Sequence, residues 1–202
     1  MKAEKNKQQA KSLKTRDKIL SATIDCIFEK GLMNTSTHDI YKRAGISRGA
    51  MQHHYPTKEA LLHAAYKELL ETEVGKLRDA ASVFNSSGIS IDDFIDQMWA
   101  RFSVESFSIT LDYFAVARTD EVLKKNVQKA RKQYDEALED IWMQYFAGQE
   151  TSEKKLLALL GMTINLFRGM SLQMLVQPDK ARLDGMVNEL KHQLRESLRV
   201  RD

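Results

Sequence analysis

Residues 35–62 read TSTHDIYKRAGISRGAMQHHYPTKEALL, and this stretch decides the fold. Ser36 with Asp39 three residues on makes a capping-box-like start for a short helix over 37–44. Gly45 supplies the left-handed residue that ends it, Ser47 caps a second short helix, and Pro56 stops that one. Two short helices meeting across Gly45, Ile46 and Ser47 satisfy the geometry of a helix-turn-helix reader. The second helix, 47–55, is then the one that enters a major groove.

The residues of that second helix suit the task. Its first amides face phosphate or base acceptors, Arg48 carries a permanent charge, and Gly49 and Ala50 allow close backbone approach. Gln52 can pair bidentately with adenine, while His53, His54 and Tyr55 reach flanking phosphates or pack. Lys58 stands in the first turn of the next helix, where a cation opposes the macrodipole unless a phosphate lies there. Thr35, Thr37 and Ser47 complete the candidate DNA-binding set.

Working outward, Ile19, Leu20, Ile24, Ile27 and Phe28 recur at helical spacing from Leu13 to Lys30, and Gly31 follows as a stop. Residues 1–12, MKAEKNKQQAKS, have four lysines and almost no apolar side chain, which predicts a basic disordered arm. After Thr57 the pattern predicts helices from 57 to about 84, from 90 to about 106, from 109 to 118, from 119 to 146, from 152 to about 176, and from 179 onward, with 85–88 a linker. The chain is therefore expected to be all-α with about nine helices: an arm over 1–12, a three-helix DNA-binding domain over 13–57, and a helical ligand-binding and dimerisation domain over 58–202.

Charge supports this division. The first sixty residues hold twelve Lys/Arg against six Asp/Glu, leaving nineteen against twenty-two for the remainder, although the whole 202-residue chain carries only +3. A basic N-terminal part points to a polyanion as partner. The single cysteine, Cys26, closes no intramolecular disulfide, and no apolar leader follows Met1, so the chain reads as intracellular and cytoplasmic.

The run RDKILSATIDCIFEKGLMNTSTHDIYKRAGISRGAMQHHYPTKEALL, from Arg16 to Leu62, resembles the N-terminal DNA-binding domain of the tetracycline-repressor (TetR) family of bacterial transcriptional regulators. The resemblance lies in the Phe-x-x-Gly end of the first helix, Thr-x-x-Ile, Ala-Gly-Ile-Ser-Arg-Gly through the turn, and His-Tyr-Pro-x-Lys-Glu-x-Leu. Many members have Tyr where this chain has Gln52, which favours a direct base contact there. The resemblance implies a homodimeric regulator, a repressor released by a small-molecule effector, that binds a palindromic double-stranded operator.

Residues 156–177 hold one charge, Arg168, in a length that can span a membrane, but Arg168, Asn165, Ser171 and Gln173 are poorly suited to lipid. A helix apolar almost all round is better covered by a second copy of itself, so residues 152–200 are expected to form the dimer seam, with Leu159 and Leu190 in it. Aromatic and polar residues of the C-terminal part, Trp99, Phe102, Phe114, Trp142, Phe146, Asn165, Phe167 and Arg168, form the candidate effector pocket. Asp112 is a further polar candidate near them. No nucleophile pairs with a base and His53, His54 and His63 lack metal-ligand spacing, so neither an enzyme nor a metal or cofactor is expected. The competing readings are a non-specific DNA-binding helical protein without an effector, then a metal-binding helical bundle or an enzyme.

Overall fold

Side chains at the helix starts do what the sequence suggests. Ser36 accepts the Asp39 amide at 3.2 Å while the Asp39 carboxylate accepts the Ser36 amide at 3.2 Å, a reciprocal capping box. Ser47 caps through the Ala50 amide, Thr57 through that of Ala60, and Ser90 through that of Asp93. Each satisfies an amide that the helix itself leaves without a partner. The computed structural model describes residues 2–87, 89–100, 102, 104–148 and 150–198, for 2–6, 80–87 and 104 by their backbone. Among the described residues there are nine helices and no strand: α1 (Lys2–Lys30), α2 (Thr37–Arg43), α3 (Arg48–His54), α4 (Lys58–Ser87), α5 (Ile91–Ala100), α6 (Val104–Ala117), α7 (Glu121–Tyr145), α8 (Glu153–Val176) and α9 (Lys180–Leu198). Gly45, at φ +65°, turns the chain between α2 and α3 in a conformation that side chains with a Cβ rarely adopt.

Two boundaries differ from expectation. Residues 2–12 are no disordered arm but the first turns of α1, because Ala, Lys, Gln and Glu are good helix formers and an anchored helix extends without a new nucleation cost. Residues 85–87, read as linker, belong to α4, and Gly88 lies outside the described residues.

The chain forms two compact units, Met1–Leu70 with Ile109–Ala130, and Glu71–Ser108 with Arg131–Asp202, instead of dividing at residue 58. In the first, Ile19, Leu20 and Cys26 of α1, Ile40 of α2, Met51 of α3 and Leu61 and Ala65 of α4 share one core. The later part of α6 belongs to this unit. Asp112 accepts the Leu32 amide at 2.8 Å, and Tyr113 stacks on Tyr66 and donates its hydroxyl to the Leu62 carbonyl at 2.7 Å.

In the second unit Phe94, Trp142, Phe146, Leu160, Phe167, Val187 and Leu194 centre the core. Lys191, almost buried, meets Asp96 at 2.6 Å, and Arg195 pairs with Asp92. Leu190 is 8% exposed and Leu159 packs partly against the same core, so these two expected seam residues face their own protomer. α8 is long and apolar enough by composition to cross a membrane, with a third of its most apolar stretch buried. Leu156, Leu160, Ile164 and Phe167 point inward, and Ala158, Gly161, Met162, Asn165, Gly169 and Leu172 form an exposed stripe at helical spacing.

Candidate nucleic-acid interface

The 3.6-residue period of α3 sorts its side chains. Met51 is driven into the core, and Tyr55, which follows the helix, goes with it, leaving Arg48, Gly49, Gln52 and His53 exposed. α3 contains no carboxylate, so its outward face is cationic and rich in donors. A Cβ on Gly49 would meet nothing within 4 Å, so the backbone here is open to close approach. Ala50 and His54 are half-buried, and Ser47 is exposed with its oxygen committed to the Ala50 amide. Thr37 opens α2, and Lys58, half-buried, opens α4.

Two of the expected residues are not available. Thr35 is buried and donates its hydroxyl to the Gly31 carbonyl at 2.8 Å, because it closes the turn between α1 and α2. Tyr55 is buried beneath the Arg16 guanidinium, 5.9 Å from the ring centroid, and burial pushes its phenol up from the ordinary value. Both are structural. His53 and His54 meet edge to face at 5.3 Å. Desolvation, with His53 and Arg16 nearby, holds the His54 imidazole below its ordinary pKa.

A cleft of about 620 Å³ opens between α1 and α3. Its α1 wall includes Gln8, Lys11, Ser12 and Thr15, and its α3 wall is made by His53 and His54 with Ala50. Gln8, Lys11 and Ser12 lie in the tract read as a disordered arm and Thr15 just beyond it, so sequence reasoning did not gather them into one wall. The signal was present, since positions 8, 11, 12 and 15 share one helical face once the tract is read as helix.

The expected effector residues divide. Phe167 contacts Trp99 and Phe102, each at 5.2 Å between ring centroids, and Trp142 packs on Phe146 at 4.7 Å, all in the second unit. Phe114 does not join them: it belongs to the first unit and is 41% exposed. Asn165 lies on the exposed stripe of α8 and donates to the Gly161 carbonyl. Arg168 is half-buried, donating to Asn165 at 3.2 Å and lying 3.6 Å from Asp135, which Arg131 also engages. Asp112 serves the Leu32 amide, not a pocket. Among the described residues Trp142 Nε1, Thr163 Oγ1 and Ser171 Oγ are buried and find no hydrogen-bond partner. Among the described residues no three of His, Cys, Asp and Glu gather as metal ligands, and the ring of His63 faces Asn126 at 3.0 Å.

A short cationic helix, held by a Gly turn on a three-helix core with its outer face clear, defines a helix-turn-helix DNA-binding protein. Residues 19–65 match the family described as bacterial regulatory proteins, tetR family. The HTH-type transcriptional regulator CymR of Pseudomonas putida is 28% identical over 188 residues, covering 93% of both chains. A transcriptional regulator from Rhodococcus sp. Rha1 superposes with a TM-score of 0.75 at 16% identity, covering 93% of this chain and 99% of that one. FadR of Bacillus subtilis, solved in complex with stearoyl-CoA, superposes at 0.60 with 17% identity, covering 87% and 95%. Residues 19–65 carry the DNA-binding domain of the TetR family, and the chain is a DNA-binding transcriptional regulator.

Proposed function

We propose that the protein is a cytoplasmic repressor that binds a palindromic operator as a homodimer and leaves it when a small molecule binds. The observation that carries this reading is the outward face of α3, where Arg48, Gly49 and Gln52 stand exposed on a helix without carboxylates. Gln52 is the base reader, and Thr37, Ser47, Arg48, His53 and Lys58 set register on the backbone. Dimerisation is supported by the exposed stripe of α8, whose small and apolar residues, Gly161, Met162, Gly169 and Leu172, suit close approach of a second copy.

The effector is assigned to the second unit, among Trp99, Phe102 and Phe167. A buried polar atom without a partner costs ~1 to 3 kcal/mol, so Trp142 Nε1, Thr163 Oγ1 and Ser171 Oγ favour a ligand that accepts hydrogen bonds inside an apolar box. The complex of FadR with stearoyl-CoA supports a fold that accepts a large organic effector. α4 supplies residues to both units and is the element through which occupancy alters the reading head.

The test is selection of bound fragments from a random duplex pool at raised salt. Enrichment of one palindrome with half-sites ~34 to 36 Å apart, or a multiple, is the expected result. Equal retention of all sequences, with affinity collapsing as salt rises, would establish the non-specific DNA-binding reading in its place.

A further inference from the structure

The cleft between α1 and α3 has a chemistry of its own. Its polar walls supply the Lys11 cation, the Ser12 hydroxyl, the Gln8 amide and the two imidazoles of α3, and among the residues whose side chains are described no carboxylate lines it. Thr15 contributes bulk and not a proton, since its hydroxyl already donates to the Lys11 carbonyl at 2.9 Å. Lys7, Lys11 and Lys14 repeat along one side of α1 and are all exposed. Desolvation first, and then the neighbouring His53 and Arg16, hold the His54 imidazole below its ordinary pKa, and both of those neighbours bear on the same corner of the cleft.

Position then selects the anion. The major groove is ~12 Å wide and a helix with its side chains ~10 to 12 Å across, so a helix seated there lies against both bordering strands. The residues of α3 that would meet one of those strands are His53 and His54, which also form the wall of the cleft. Because α1 is continuous from Lys2, Lys11 and Ser12 stand on a fixed rail opposite them and not on a tail.

We infer that this cleft clamps the sugar-phosphate backbone of duplex DNA, with one strand passing between α1 and α3, a phosphate paired by Lys11 and hydrogen-bonded by Ser12, Gln8 and His53. The clamp rests on the reading of α3 as the recognition helix, and it adds the first helix to the DNA-binding surface. It lengthens the backbone covered by each head beyond the base pairs that Gln52 can reach.

The experiment uses the full chain and the duplex it selects from a random pool, with affinity measured against KCl and phosphate-ethylation interference mapped along both strands. Lys11→Ala is expected to reduce the slope of log affinity against log salt by ~0.9 for each half-site, about eightfold weaker binding per half-site at 0.1 M salt. Ser12→Glu places a carboxylate in the cleft and is expected to erase interference at one phosphate position per half-site. Leu13→Glu adds the same charge one residue along, at an exposed position outside the cleft lining, and is expected to keep that position. Helix content by circular dichroism confirms that all three variants fold. An interference map untouched by Ser12→Glu, or changed equally by Leu13→Glu, overturns the clamp. Gln52→Ala separates the two readings: base preference lost at one position with the clamp variants silent refutes the clamp alone. Arg48→Ala and Gln52→Ala both silent, while Ser12→Glu abolishes binding, refutes the reading of α3.

Discussion

Asp112 offers the sharpest test of how the first unit is held. Its carboxylate accepts the amide of Leu32, in the turn that leads from α1 to α2, at 2.8 Å across eighty residues of sequence. Leu32 is itself buried, so Asp112→Ala leaves a buried donor with nothing to replace the carboxylate. A hydrogen bond to a charged group contributes ~1.5 to 3 kcal/mol, and the half-buried Asp112 admits some water, which places the loss near the lower end, at ~1.5 kcal/mol. For a chain of this size ~1 kcal/mol moves the melting midpoint by ~2 to 4 °C, so Asp112→Ala is expected to melt ~3 to 6 °C lower. Asp112→Asn keeps an acceptor oxygen without the charge and is expected to lose about half as much. The assay is thermal unfolding by circular dichroism at one fixed protein concentration, since association shifts the midpoint. A midpoint for Asp112→Ala within 1 °C of the parent protein refutes the argument, and equal losses from Ala and Asn would show that charge, not the acceptor, matters.

Other predictions follow from the same contacts. Gln52→Ala is expected to lose ~1 to 3 kcal/mol on the selected duplex and to relax preference at one position per half-site, whereas Lys58→Ala weakens all duplexes alike; competition with single-base variants measures both. Met162→Glu, on the exposed stripe of α8, is expected to give a folded monomer by sedimentation that no longer binds the palindrome tightly, while Leu190→Glu buries an unpaired charge in the protomer's own core and prevents folding. Hydrogen bonds from the Lys30 ammonium and from the Ser36 hydroxyl and amide hold the Asp39 carboxyl well below its ordinary range. Its folded value is depressed, so its stabilising contribution is complete above the unfolded carboxylate range near ~4 and is lost as pH falls below it. Asp39→Asn removes that acid-side loss, and a stability gap between the two proteins that stays constant from pH 6 to 2.5 contradicts the assignment.

Local chemistry made much of this molecule legible. The capping box of Ser36 and Asp39, the Gly45 turn and the Ser47 cap are interactions within four residues, and sequence alone carries them. Arg48 and Gln52 were likewise assigned to the DNA from their chemistry and their place in the second helix, and both are exposed. Tyr55 was left between a phosphate contact and packing because its burial involves Arg16, a partner that no short window reveals, whereas Thr35 was misjudged although the carbonyl that takes its hydroxyl, that of Gly31, is only four residues away. The helical start of α1 was hidden by treating lysine-rich polarity as disorder, although the same residues are strong helix formers once a core anchors the next turn. In α8 both faces are apolar, so the pattern could not tell that Phe167 points inward and Asn165 outward. Phe114 misled for a simpler reason: aromatic character says nothing about which unit a helix turn joins.

The chain passes between its two units three times, at 70/71, 108/109 and 130/131, and each passage falls inside a helix, α4, α6 and α7. A modular biosensor made by cutting once after the helix-turn-helix and fusing it to a foreign sensor would strand the segment 109–130, and with it Asp112 and Tyr113, on the discarded side. The transplantable reading head is therefore discontinuous in sequence, and a chimera that keeps its stability needs three junctions chosen in helical phase rather than one chosen in a loop.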